Sequence, residues 1–200
     1  MSVLVTGRSL APKGPIVRSV AIAIALAVMV IGVGAVGGST AMSGITIPGE
    51  PGVRAGLAGA NNFGEVFLAI LARNLPAAAS LAAGIITFGL LSAVSGLFLG
   101  LYLGATIAAS VNTVGVGDLF ESVGAYVGIE MLGLAAAAVA GFLPLAYTLA
   151  GGRGSGRDLI QRYRTGLVPA AFLIALSIFL ILVGAGIETV VITSSGSPAE

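Results

Sequence analysis

The chain has no cysteine and no histidine, and only 8% of its 200 residues carry a charge. Without cysteine there is no disulfide, no haem thiolate and no iron–sulfur ligation. Without histidine the usual proton shuttle near neutral pH is missing, as are most zinc chemistry and any Ser–His or Cys–His nucleophile pair. Lysine occurs once, at Lys13, so no glycine-rich loop ends in a phosphate-gripping lysine followed by Ser or Thr. No basic patch is interleaved with stacking aromatics, which leaves nucleic-acid binding without support. The expectation is a protein that is not an enzyme and has no metal site and no cofactor. An intramembrane enzyme would have to run on carboxylates alone.

What the chain does have is apolar sequence: 57% of its residues are hydrophobic. A soluble domain carries about 25% charged residues, so there is too little polar surface here to coat a globule. The reading is an all-α integral membrane protein, one domain over residues 1–200. Its helical bundle is expected to have about five transmembrane helices plus a surface amphipathic helix.

The first span is read over 19–38, about the 20 residues one helix needs to cross. Arg8, Lys13 and Arg18 precede it. Its apolar run exceeds the ~7–15 residues of a signal-peptide core, which favours a retained anchor over a cleaved leader. SGITIPGEPG then reads as a loop. In NNFGEVFLAILARN, Phe63, Val66, Phe67, Ile70 and Leu71 fall on one face at helical spacing, with Glu65 and Arg73 opposite. That stretch is expected to lie on the membrane surface. Residues 75–110 are uncharged and, as one helix, would run about 54 Å, well beyond the ~30 Å hydrocarbon core. Two short spans, 75–92 and 96–112, with a break around Ser92 to Gly96, fit better than one, with a re-entrant pair as the alternative. The remaining spans are 124–149, bent near Pro144, and 167–188, with Pro169 in its first turn where proline is tolerated. Between them lies the basic loop 151–164, with four arginines against Asp158.

Charge bias gives the topology. Arg8, Lys13 and Arg18 make the first 18 residues +3, and the loop 151–164 is also +3. Segment 39–73 sums to zero, Asp118 and Glu121 make 111–123 −2, and Glu188 with Glu200 makes the tail −2. Basic segments stay in the cytoplasm. The chain is therefore expected in the cell membrane as a multi-pass protein, N-terminus cytoplasmic and C-terminus extracytoplasmic, with the lipid bilayer as its first partner.

Two carboxylates fall inside spans, Glu130 and Glu188, both in the outer half on this topology, with Arg73 and Asn74 at a similar depth. An ionised group facing lipid costs from about 2.5 kcal/mol upward, so Glu130 should face the bundle interior and either pair or hold a proton. Three readings stay open. Glu130 meets Arg73 or Asn74 and locks helices together; Glu130 and Glu188 form an outward-facing cation or proton site; or both hold interfacial water. The Ala- and Gly-rich span, which lets backbones approach closely, favours the lock.

In GLFLGLYLG, Gly96, Gly100 and Gly104 stand at i, i+4 and i+8, a small-residue stripe suited to close helix packing. It serves packing within the chain or, alternatively, a subunit or partner interface. The arginines of 151–164 suffice as an orientation signal, with binding of anionic headgroups or a cytosolic partner as the other reading. SVNTVGVGDLFES is read as a solvated outer loop, since it lacks the oxygen-ligand spacing of a calcium loop. The tail TSSGSPAE is disordered in composition.

Together these features resemble the stage II sporulation protein M family of multi-spanning membrane proteins. Phe67, Ile70 and Asn74 match that family's F-x-x-I-x-x-x-N segment. SLAAGIITFGLLSAVSGLFLG is similar to its glycine-punctuated second span, with Ser95-Gly96 where the family has Asn-Gly. YVGIEMLGLAAAAVAG resembles its His-Gly-x-x-Glu-Leu segment with Glu130 at the glutamate, and AGIETVVIT its closing Ile-Glu with Glu188. The likeness runs from about Asn62 to Thr193 on short, degenerate motifs. It departs at Tyr126, which stands in place of the family's histidine, so any role for that imidazole is lost. The resemblance implies a non-enzymatic membrane scaffold or accessory subunit with a membrane or extracytoplasmic protein partner, or self-association. Name-giving members act in a membrane complex that brings cell-wall hydrolases to an engulfing septum. The alternative is a small permease or transporter subunit that uses Glu130 and Glu188 as an ion or proton site, its paired short spans resembling the discontinuous helices of transporters.

Overall fold

The computed structural model describes residues 14–45, 62–152 and 155–195. Arg8, Lys13, Arg153, most of the loop read at SGITIPGEPG and the tail beyond Ser195 lie outside the described residues. The described residues form five long helices: α1 (Gly14–Ala41), α2 (Phe63–Ala82), α3 (Leu90–Val114), α4 (Val116–Ala150) and α5 (Gly156–Ser195). Each contains a segment long and apolar enough to cross a membrane.

The surface is apolar where a soluble protein's would be polar. Val28, Val33 and Val36 on α1, Phe98 on α3, and Phe172 and Phe179 on α5 all stand exposed, and so broad a spread of large apolar residues suits lipid rather than water. Small residues fill the interior instead: Ala23, Ala27, Ala137, Ala138, Ala140, Ala146 and Ala170 are buried in one cluster. The physical reason is that apolar burial gives no advantage against lipid tails, so helices associate by how closely their backbones approach.

α4 is the central element and packs on all four of the others, while α1 pairs chiefly with α3 and α5 with α4. The α1–α3 pair is parallel: Gly34 faces Leu97 and Gly100, and one turn on Gly38 faces Leu101 and Ala105. The α4–α5 pair is antiparallel: Gly133 lies on Ser177 and Ile181, and Gly166 lies on Pro144 and Tyr147. The described helix ends and connections therefore gather at two ends. One end holds the start of α1, the α2–α3 turn and the α4–α5 link. The other holds the end of α1, the α3–α4 link and the end of α5, tied where the Asn112 amide donates to the Met42 and Ile45 carbonyls at 3.3 and 3.2 Å.

Four boundaries differ from the sequence expectation. The amphipathic stretch 63–73 is not a separate surface helix but the opening turns of α2, which continues without interruption through Pro76 to Ala82. Asn62 caps it, its side chain accepting from the Glu65 amide at 3.0 Å. The apolar stripe of this stretch is met by protein, because Val66 and Ile70 pack on Ala185 and Ile192 of α5.

The break between the second and third helices falls at residues 83–89, ahead of the Ser92 to Gly96 position expected. A short 3-10 turn, Ala83–Ile85, leads into Phe88 and Gly89, which take φ of 53° and 86°. Ile85, Ile86 and Thr87 are β-branched, which lowers helix propensity, and glycine takes a left-handed φ without steric cost. Ser92 is a packing residue: fully buried, it donates to the Leu81 carbonyl. It fits because residues 84 and 141 are glycines, where a Cβ would collide with the Ser92 hydroxyl.

The outer segment read as a loop, 110–122, is almost wholly helical. Gly115, at φ 88°, alone joins α3 to α4. The segment read as a basic loop is helical from Gly156 onward, and its arginines from Arg157 on ride on the first turns of α5. A reciprocal cap starts that helix: the Asp158 carboxylate accepts from the Ser155 amide and hydroxyl at 3.0 and 2.8 Å, and the Asp158 amide donates to Ser155 Oγ at 3.4 Å. Pro169 consequently lies inside α5 rather than in its first turn.

Candidate functional site

Glu130 projects from α4 into the contact with α2 and α5. Only 6% of its surface is exposed, and 8% of that of Glu188 on α5. The backbone makes room for it. Residue 184 of α5 is glycine, and a Cβ there would lie 2.5 Å from Glu130 Cγ. With a side chain there the Glu130 carboxyl would have to shift.

The Glu130 side chain comes within hydrogen-bonding reach of the Asn74 side chain on α2 and the Glu188 carboxyl on α5. One node thus joins three helices. Its second oxygen, Oε1, is buried with no hydrogen-bond partner. Arg73 stands exposed beside the node, and its positive charge is felt at Glu188. Of the two groups expected near Glu130, the Asn74 side chain is the one within its reach, while the Arg73 charge bears on Glu188. Thr189, fully buried next to Glu188, satisfies itself by donating to the Ala185 carbonyl at 2.7 Å.

Tyr126 completes the node. It is buried, 4% exposed, and lies in the electrostatic field of both Glu130 and Glu188. Residue-type reasoning noted only that it displaces a histidine. The usable signal was spacing, since Tyr126 and Glu130 stand at i and i+4 and so share one face of α4. Gly184 was missed too, although it stands at the same spacing before Glu188.

The chemistry of such a node is limited and definite. A hydrogen bond between two carboxyls requires a proton on one of them, and two bare anions at that range repel, more strongly in a medium of low dielectric. The node can therefore hold a proton, or a monovalent cation in its place, between α4 and α5. Among the described residues no group of three His, Cys, Asp or Glu side chains gathers as a multivalent metal ion would need.

The glycine stripe lies away from this node, on the opposite pairing. A Cβ on Gly96 would meet Val30 of α1 at 3.3 Å, and Cβ atoms on Gly100 and Gly104 would collide with the backbone of Ile31 and Ala35. Gly34 and Gly38 of α1 return the contact against Leu97 and Leu101. The stripe is filled by the chain's own first helix.

Fold and node together define a multi-pass α-helical membrane protein with a buried carboxyl pair at a three-helix junction. No protein-family model, curated protein or solved structure matches the chain.

Proposed function

We propose that this chain is a non-enzymatic membrane scaffold or accessory subunit, of the kind its resemblance to the stage II sporulation protein M family implies. The observation that carries this reading is the junction itself. Asn74, Glu130 and Glu188 meet across α2, α4 and α5 where the bundle is closed, and the polar contact fixes the relative depth and rotation of those helices. Its partner is a membrane or extracytoplasmic protein, or a second copy of the chain. The surface offered is the end carrying the start of α2, with Phe63 and Glu65 exposed, and the turns of α4 that precede its apolar segment at Tyr126.

The orientation proposed is N-terminus cytoplasmic and C-terminus extracytoplasmic. Arg18, Arg157, Arg162 and Arg164 all belong to one end of the bundle, while Glu65, Glu130 and Glu188 lie toward the other; basic ends remain in the cytoplasm.

A second reading, a small permease or transporter subunit using the carboxyl pair as a proton or ion site, is favoured by one observation: the unpartnered Glu130 Oε1. One pair of variants separates the two. Glu130→Gln retains hydrogen-bonding capacity and keeps most of the stability in detergent. Glu130→Leu leaves Asn74 and Glu188 unpartnered, at a cost of about 1–3 kcal/mol. Equal stability of the two variants would sink the lock. Proton or cation flux through reconstituted vesicles that disappears in folded Glu130→Gln would favour the transporter.

A further inference from the structure

At the end of the bundle opposite the carboxyl node, α5 carries Arg157, Gln161, Arg164 and Thr165 on one face, at i, i+4, i+7 and i+8. With Ile160 they line an open surface cavity of about 540 Å³. The backbone positions of the two arginines are about 10 Å apart along the axis, at ~1.5 Å per residue, a gap that two long side chains can close onto one anion. Arg162, on another face, is engaged with the Gly152 carbonyl at 3.0 Å. Asp158, the acidic residue nearest in sequence, is turned to Ser155. The face is therefore basic, with neighbouring charges committed elsewhere.

A second cavity, of about 300 Å³, adjoins the first, and Ile160 and Arg164 line both. Three parts of the fold build it: Phe88 from the α2–α3 turn, Thr148 from α4, and Leu159 and Tyr163 from α5. The Phe88 and Tyr163 rings are 4.7 Å apart, and the Tyr163 hydroxyl donates to the Ile85 carbonyl. A charged cavity thus lies beside an apolar one lined by Phe88 and Tyr163, with Ile160 and Arg164 as the wall they share.

We propose that these joined cavities bind one anionic phospholipid, its phosphate on Arg157 and Arg164 and its acyl chain against Phe88, Ile160 and Tyr163. The guanidinium fork matches a phosphate's oxygens, and aromatic residues belong at the level where headgroups meet hydrocarbon. A free phosphate would satisfy only the basic half. The site does not depend on the scaffold reading, since it shares no residue with the carboxyl node.

Native mass spectrometry of the full chain in detergent, titrated with phosphatidylglycerol, phosphatidylcholine or inorganic phosphate, tests this. The expected result is one retained phosphatidylglycerol, bound about thirtyfold more tightly than phosphatidylcholine, in line with two arginines near a lipid surface at about 1 kcal/mol each. Arg157→Gln with Arg164→Gln should remove that preference, while Arg18→Gln, a basic residue outside the cavities, should keep it. Ile160→Glu, which places an anion between the cavities, should weaken phosphatidylglycerol without affecting helicity. Unchanged preference in the double variant overturns the proposal. So does inorganic phosphate displacing the lipid completely at equal concentration, which would make the site an ion site.

Discussion

At the scale of single residues, Gly184 and Glu130 depend on each other. A carboxyl inside a bundle needs both a polar partner and a path to it, and the missing side chain at 184 supplies the path. Gly184→Ala would set a Cβ 2.5 Å from Glu130 Cγ, with Cδ at 3.5 Å. The carboxyl must then shift while Asn74 and Glu188 hold it. The expected loss is about 1–3 kcal/mol, the usual cost of overpacking a closed core. Unfolding in detergent measures it, and a variant as stable as the parent would mean the carboxyl is not held in place. Ser177 is a different case: its hydroxyl is buried without a partner beside Gly133.

At the scale of elements, α1 and α3 form a close backbone contact made of glycines from both helices. Gly100→Leu should separate them and cost about 1–3 kcal/mol by the same overpacking argument, with helicity retained by circular dichroism. Gly32 is the internal control. It lies on the same α1 helix with open space around its Cβ direction, so Gly32→Leu should cost far less. Equal loss in both variants would show that glycine content, rather than this interface, matters. The long helices follow from a different cause. α5, at 40 residues, would run about 60 Å, twice the ~30 Å hydrocarbon core. Its arginine-bearing first turns therefore project beyond the apolar layer while remaining helical.

At the scale of the whole molecule, the two ends differ in charge, which is the ground for the orientation proposed above. The absence of native cysteine makes single-cysteine labelling clean. Ser43→Cys, at the end that includes the α1 terminus, should react with a membrane-impermeant maleimide in intact cells. Gln161→Cys, on the first turns of α5, should react only after lysis. The opposite pattern would invert the topology and move the carboxyl node to the cytoplasmic half.

Composition and charge were enough for the class. So few charges cannot coat a globule, and apolar runs of membrane length in a chain of this kind form helices, because every backbone group must be satisfied within the segment. Glu130 and Glu188 were legible as interior groups for the same reason, and Asn74 by its common depth. Helix boundaries were less legible. Small residues mark both turns and tight packing, so Ser92 and Gly96 looked like a break but are contact residues, while the turn went to Phe88 and Gly89. The polar stretches 63–73 and 156–164 looked like surface helix and loop, yet a cap at Asn62 and another at Ser155 with Asp158 extend α2 and α5 through them. Only the tertiary structure decided which helices pair, because a glycine stripe fits any close backbone. It alone brought α1 to the Gly96, Gly100 and Gly104 stripe, and Tyr126 and Gly184 to the carboxyl pair. Depth along a helix can be read from sequence, but rotation about its axis is set by the neighbours it packs against.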